Sequence, residues 1–155
     1  MNWKPDSKAW SIAQILDHIM TINESFFPIL AKVKEGNYKV PWFGRIGFIT
    51  NLMGNVVLKS VLPDTQKKIT TFPIWEPSTS NLPGNILEKF AKHQEELKVM
   101  IEGAENLLEK DQVICSPANY KIVYKLEKAF EIIVAHEQRH LLQAKTRLED
   151  LRVTQ

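Results

Sequence analysis

The sequence predicts an all-α protein, most simply an antiparallel four-helix bundle with a long crossover connection. Three observations carry that expectation. Near the start, "WSIAQILDHI" pairs a helix-initiation signal with apolar residues at the helical period. Near the end, a segment from about Tyr124 onward keeps the same period for about 28 residues. Between them, residues 63–84 contain Pro63, Pro73, Pro77 and Pro83, an extended connection long enough to run from one end of a bundle to the other.

The first helix is the most explicit. Ser11 followed by Gln14 is a capping box, with Trp10 before the cap and Ile15 after it as a hydrophobic staple, so the helix begins at Ile12. Ile15, Ile19, Ile22, Phe26, Ile29 and Val33 then follow one face, until Lys32 and Lys34 meet the C-terminal dipole and Gly36 offers a left-handed cap. Pro28 lies inside this run and should kink it. A second, looser helix is expected to start near Pro41 and to end before Pro63, weakened by Gly44, Gly47 and Gly54. Trp75 in the connection that follows is expected to pin it to the core. The third helix opens near Pro83 and carries Ile86, Phe90, Leu97, Ile101, Ala104 and Leu108 on one side.

The fourth helix has two candidate starts, at Ser116-Pro117 or near Tyr124. The later one is preferred, because "NYKIVY" alternates like an extended segment. No strand is required by the pattern. The 155 residues fit a single domain, 1–155, with one core and no need of disulfides.

Composition narrows the function classes. The 20 basic and 18 acidic residues are interspersed, as in "EKFAKHQEELK", which suits i,i+4 pairs on solvated helix faces and gives no basic stripe for a nucleic acid. No apolar run reaches the ~20 residues of a membrane span, and the first residues lack the apolar core of a secretory signal. The single cysteine, Cys115, excludes an intramolecular disulfide. A cytoplasmic protein is the expectation.

Within the last helix His136-Glu137-Gln138-Arg139-His140 is a literal H-E-x-x-H, the zinc-protease signature. A protease needs a third ligand downstream, and only fifteen residues follow His140. Position 143 is Gln where the extended motif has Gly, and position 146 is Thr where it has His. Glu149 and Asp150 continue on the same helix and cannot fold back, and no sheet is expected to align a peptide. A third ligand must come from an earlier helix. His18 is the natural candidate, beside the apolar stripe between Ile15 and Ile22, whereas His93 sits among charges and reads as a solvated surface residue. Taken singly, each of His18, His136 and His140 reads as a hydrogen-bonded interior or edge histidine. Three together, two of them at ligand spacing, point to a metal.

Jointly, W-S-x-x-x-x-x-x-H over Trp10–His18 and H-x-x-R-H-x-x-Q over His136–Gln143 resemble the two signature segments of the DinB-like superfamily of metal-dependent enzymes, and "LPGNILEKFAKHQEELKVMIEG" is similar as well. The resemblance implies a four-helix bundle, frequently a homodimer, in which His18, His136 and His140 hold zinc, nickel or another divalent ion in an open cleft. Family members usually have a full helix before the tryptophan-serine motif, and here nine residues precede Trp10. Either the chain is a trimmed piece, or the helix between residues 42 and 60 or a partner chain covers that face.

Three neutral imidazoles leave the ion's charge uncompensated, which lowers the pKa of a bound water or thiol. The relatives implied by the resemblance use low-molecular-weight thiols in transferase or isomerase reactions. Glu137 is the general-base candidate by analogy with the protease motif, although at i+1 it points about 100° around the helix from His136, toward solvent. Gln143 either orients a ligand or is a plain surface amide. Arg139 either pairs with an acid or an anionic substrate, or is a simple surface charge. Cys115 has no activating neighbour in sequence. Two readings stand: a metal-dependent thiol transferase or small-molecule hydrolase, and a non-catalytic bundle that binds a small ligand or acts as a dimerising accessory protein.

Overall fold

The computed structural model describes residues 1–65, 71–77 and 81–153. The capping box forms: Gln14 N–H donates to Ser11 Oγ at 3.2 Å and Ser11 N–H donates to Gln14 Oε1 at 3.2 Å, starting α1 (Ile12–Glu24). The first helical run is broken rather than kinked, with α2 (Phe27–Lys34) following after Ser25 and Phe26. Proline physics places the break. Pro28 cannot donate to the carbonyl four residues back, that of Glu24, and α1 ends at that residue. Pro28 itself falls in the first turn of α2, where its missing N–H costs nothing. Lys32 and Lys34 close α2, and Gly36 takes a φ of 71°, the left-handed stop its sequence position suggests.

A 3₁₀ turn over Trp42–Arg45 precedes α3 (Gly47–Val61), the looser second helix. Of the proline-rich connection, residues 66–70 and 78–80 lie outside the described residues; a 3₁₀ turn at Pro73–Trp75 lets the half-buried Trp75 pack on the main core. The third helical run is shorter than its apolar pattern suggests. It forms α4 (Ile86–Glu102), stops at Gly103, a weak helix former, and leaves a single further turn, α5 (Glu105–Leu108).

The expectation of no strand is overturned. Val113–Ser116 (β1) and Asn119–Lys125 (β2) form an antiparallel hairpin, with Cys115 opposite Val123 and Ser116 opposite Asn119, and a register irregularity between Cys115 and Ser116. The alternation in "NYKIVY" is its cause. Two strands alone are marginal, so the hairpin depends on packing, and Ile114, Val123 and Tyr124 are almost completely buried. The last helix, α6 (Leu126–Val153, 28 residues), starts directly from β2, near the later of the two candidate starts.

The chain is mostly helical, and α6 is its axis: α1 packs on α4 and α6, and α3 packs on β2 and α6. One apolar cluster, with Phe26, Leu30, Tyr124, Phe130 and Ile133, joins α1, α2, the hairpin and α6. A smaller one, with Ala13, Met20, Leu82 and Ile86, joins α1 to α4. The N-terminal segment ties in the end of the connection, because the Asn2 side chain donates to Leu82 O at 2.8 Å and accepts from Leu82 N–H at 3.0 Å. Among the described residues no helix is long and apolar enough to cross a membrane.

At Gly54, α3 lies close against β2 and α6. A Cβ there would lie 2.7 Å from Lys128 Cγ and 3.0 Å from Tyr124 Cβ, whereas at Gly47 it would meet nothing within 4 Å. Gly54→Val is therefore expected to destabilise the protein by about 1–3 kcal/mol through overpacking. Gly47→Ala is expected to be neutral or to stabilise by up to about 1 kcal/mol through lower chain entropy in the unfolded state. Urea unfolding of both variants checks the contrast.

Candidate metal centre

The phase of α1, set by its capping box, turns His18 inward with Ile15 and Ile22; His18 is 2% exposed. On α6, His136 and His140 are one turn apart on the buried face, and their Nε2 atoms lie 3.0 Å from each other. The His18 ring centroid is 5.2 Å from that of His136 and 4.8 Å from that of His140. One nitrogen from each of the three lies within 4.8 Å of the others. Two nitrogens at about 2.0–2.1 Å from one ion, at angles of about 90–109°, stand about 2.8–3.4 Å apart, so the α6 pair already has ligand spacing.

The His18 tautomer is fixed by its partner. Nδ1 lies 2.7 Å from the carbonyl oxygen of Trp75, which can only accept, so Nδ1 carries the proton and Nε2 is left with its lone pair. The connection between α3 and α4 thus serves the site through its backbone. Trp10 closes the other side: its indole centroid is 4.8 Å from His18 and 6.5 Å from His140, nearly parallel to the latter ring.

Burial keeps all three imidazoles neutral. Desolvation lowers the pKa of His18, and the Trp75 hydrogen bond only partly opposes it. Desolvation, then repulsion from His140, His18 and Arg139, holds His136 well below the ordinary histidine range. His140 is lowered to about 4, by desolvation and by His18 and Arg139, with a contact from the Gln143 side chain pulling the other way. Neutral imidazole is the metal-binding form, so the donor set suits a divalent ion such as zinc or nickel.

The three histidines line a cavity of about 770 Å³, whose wall includes Trp10, Trp75, Tyr124, Arg139 and Gln143. Gln143, one turn beyond His140, borders that cavity while its side chain stays exposed to solvent. Arg139 is no simple surface charge. It is half-buried, and its Nη1 donates to Leu62 O at 3.0 Å and to Thr65 O at 2.8 Å, the backbone of the turn that follows α3. Glu137, one residue from His136, turns away to the α1 and α4 side. Its Oε1 accepts from Asn23 Nδ2 at 2.7 Å and from Gln94 Nε2 at 2.8 Å, and it is not part of the cavity wall.

The reading of His93 as a solvated residue is overturned. It is 3% exposed, its ring is stacked 5.9 Å from Phe27, and its Nε2 lies 3.2 Å from Asn23 Nδ2. Its neighbours in sequence are charged, but α4 packs against α1 on the side that carries His93. Asn23, Gln94 and the Trp75 carbonyl carried no sequence signal of their own. Trp10 did, as the first letter of the W-S segment, although its periodicity alone reads only as a staple.

Because the folded protein holds these histidines neutral while the unfolded chain protonates them near 6.5, the unfolded state binds more protons as pH falls below that value. The stability they contribute is complete above about pH 6.5 and is lost progressively as pH falls toward about 4. In chelator-treated protein, the unfolding free energy from urea titrations should be flat from pH 8 to 7 and should fall between pH 6.5 and 5, with a slope approaching about 1.4 kcal/mol per pH unit for each histidine involved. His140→Asn should flatten that slope.

No curated protein and no solved structure matches the chain. The model of the DinB superfamily matches residues 1–144, a span that holds all three histidines, both signature segments and the α4 stretch between them. The chain belongs to the DinB superfamily.

Proposed function

We propose that this protein is a cytoplasmic metal-dependent enzyme acting on a small molecule, in the first place a thiol-dependent transferase and otherwise a small-molecule hydrolase. The observation that carries the reading is the set of three buried, neutral imidazoles gathered within 4.8 Å at the wall of a 770 Å³ cavity. A divalent ion held there, zinc or nickel, would supply a Lewis acid that favours the deprotonated form of a thiol or water bound beside it. The chain's own residues do the rest. His18 is held in one tautomer by the Trp75 carbonyl. Trp10 and Trp75 offer apolar walls for the body of a substrate and exclude water from the rings they cover. Gln143 can donate to or accept from a substrate's polar group at the cavity wall. The Arg139 charge, held by the Leu62 and Thr65 carbonyls after α3, favours an anionic nucleophile nearby.

A peptidase reading has little support. The third histidine comes from α1 rather than from downstream, and the hairpin is short, with its β1 strand buried at Ile114 and Cys115. The engagement of Glu137 Oε1 by two amides favours a reaction that needs no carboxylate base, and it also supports the second reading, a non-catalytic small-ligand binder or accessory protein.

The packing of α1, α3, α4 and α6 around a shared core supports reading the fold as a four-helix bundle of DinB-like type. We further propose a homodimer through the outer face of α3, where Phe48, Leu52 and Val56 follow one another at i,i+4 and stay exposed, with Trp42 beside them in sequence, 76% exposed. Phe48→Glu with Leu52→Glu should yield a monomer in sedimentation velocity, against a dimer for the unmodified chain.

Protein purified without an affinity tag should retain close to one divalent ion per chain by elemental analysis. His136→Ala or His140→Ala should lose it while keeping helical circular dichroism. The loaded protein should conjugate a small electrophile to a cellular thiol in a chelator-sensitive manner and should cleave no peptide. Chelator-sensitive peptidase activity would overturn the reading, and metal retention without turnover in either assay would transfer it to the binding protein.

A further inference from the structure

Away from the cavity, on the α1 and α4 side of α6, lies a polar cluster that the proposed chemistry does not use. Glu137 of α6, Asn23 of α1, and His93 and Gln94 of α4 meet there, drawn from three helices and closed over by the Phe27 ring. Asn23 is fully buried and His93 is 3% exposed. The direction of each hydrogen bond is determined. A carboxylate oxygen only accepts, so Glu137 Oε1 takes N–H groups from both Asn23 and Gln94. With its Nδ2 facing Glu137, Asn23 presents the same nitrogen to His93 Nε2 at 3.2 Å, which makes that ring nitrogen an acceptor and leaves the proton on Nδ1, 3.8 Å from Glu24 Oε1. One carboxylate, two amides and one neutral ring thereby tie α1, α4 and α6 together.

The placement of this cluster relative to the histidines gives it a consequence. His136 and His140 are fixed relative to each other by their shared helix, one turn apart. His18 belongs to another helix, so the variable that decides whether three nitrogens meet is the position of α1 against α6. Asn23 is five residues beyond His18 on α1, about 7.5 Å along the axis, and Glu137 is next to His136. The Asn23 to Glu137 bond therefore pins the two helices within about two turns of the histidines, and Gln94 holds the same carboxylate oxygen from α4.

We propose that Glu137 is a positioning residue, the shared acceptor of an Asn23–Gln94 brace that fixes α1 against α6 and so sets the reach of His18 toward His136 and His140. The glutamate of this H-E-x-x-H acts through the helices and not as a base. The inference rests on the metal reading for its purpose, and on the hydrogen bonds alone for the brace.

The test compares the full-length protein with Glu137→Ala and Glu137→Gln. The glutamine keeps a carbonyl oxygen where the carboxylate stood and can accept the same two N–H groups without the charge. Each protein is loaded with Co²⁺, its affinity measured by chelator competition and its visible spectrum recorded. Glu137→Ala should bind about 10–100-fold more weakly, the range expected when support of a ligand is removed, and its spectrum should change. Glu137→Gln should return both close to the unmodified protein. An alanine variant with unchanged affinity and spectrum overturns the proposal, and so does a glutamine variant no better than alanine, or one that keeps the ion and loses turnover, since either assigns the role to the charge. Should Glu137→Ala not fold, Gln94→Ala removes one donor and carries the same comparison. In metal-free protein, Asn23→Ala and Glu137→Ala are combined in a double-mutant cycle of urea unfolding. Clear non-additivity is expected, and additive losses overturn the brace. If the unmodified protein takes up no Co²⁺, the metal reading fails separately and the cycle decides the brace.

Discussion

Everything chemically distinctive in this protein depends on the seam between α1 and α6, where three imidazoles are removed from water together. Burying a histidine is tolerable only in its neutral form, and burying three in mutual contact enforces that form, because each would repel a proton on the others. The seam holds because apolar residues on both helices surround it. Ile15, Ile19 and Ile22 on one side and Phe130, Ile132 and Ile133 on the other are all buried. The histidines take part in this apolar interface without contributing much to it, so the site's neutrality and the helix packing have the same cause.

Polar groups inside such an interface need partners, and the chain supplies several of them from distant segments. The carbonyl of Trp75 reaches His18 from the connection after α3. Arg139 donates to two backbone carbonyls of the turn after α3, those of Leu62 and Thr65. Asn23 satisfies Glu137 and faces His93. Each of these contacts joins segments that are far apart in sequence, and each lies within a turn or two of a histidine. The surroundings of the site are therefore also what fastens α3, α4 and the connection onto α6.

The hairpin plays a mechanical part. Its second strand runs straight into α6, and Tyr124 and Lys128 make the floor on which α3 rests at Gly54. With Tyr124 on the cavity wall, the hairpin also carries the position of α3 to the space beside the histidines. The opposite face of α3 keeps its large apolar side chains in solvent, an asymmetry that the single chain leaves open.

The sequence by itself determined the elements whose signals are local. The capping box at Ser11 started α1 on the expected residue, the alternation before Tyr124 delayed the last helix to Leu126, and i,i+4 spacing put His136 and His140 on one buried face. His18 was legible as a candidate because its phase within α1 follows from that same cap. Local signals also misled where tertiary packing competes with them. Pro28 broke its helix at Glu24 instead of bending it, and Gly103 cut short a stripe that continued in apolar pattern. "NYKIVY" needed a partner strand to become β structure, and that partner, Val113–Ser116, gives no alternation of its own. Only the tertiary structure could decide the rest. Whether His93 meets water or Phe27, whether Glu137 faces the histidine-lined cavity or an amide, and whether Arg139 meets solvent or the backbone after α3 depend on which element lies opposite. That is a long-range packing choice, made by the whole set of apolar faces and written in no short window of residues.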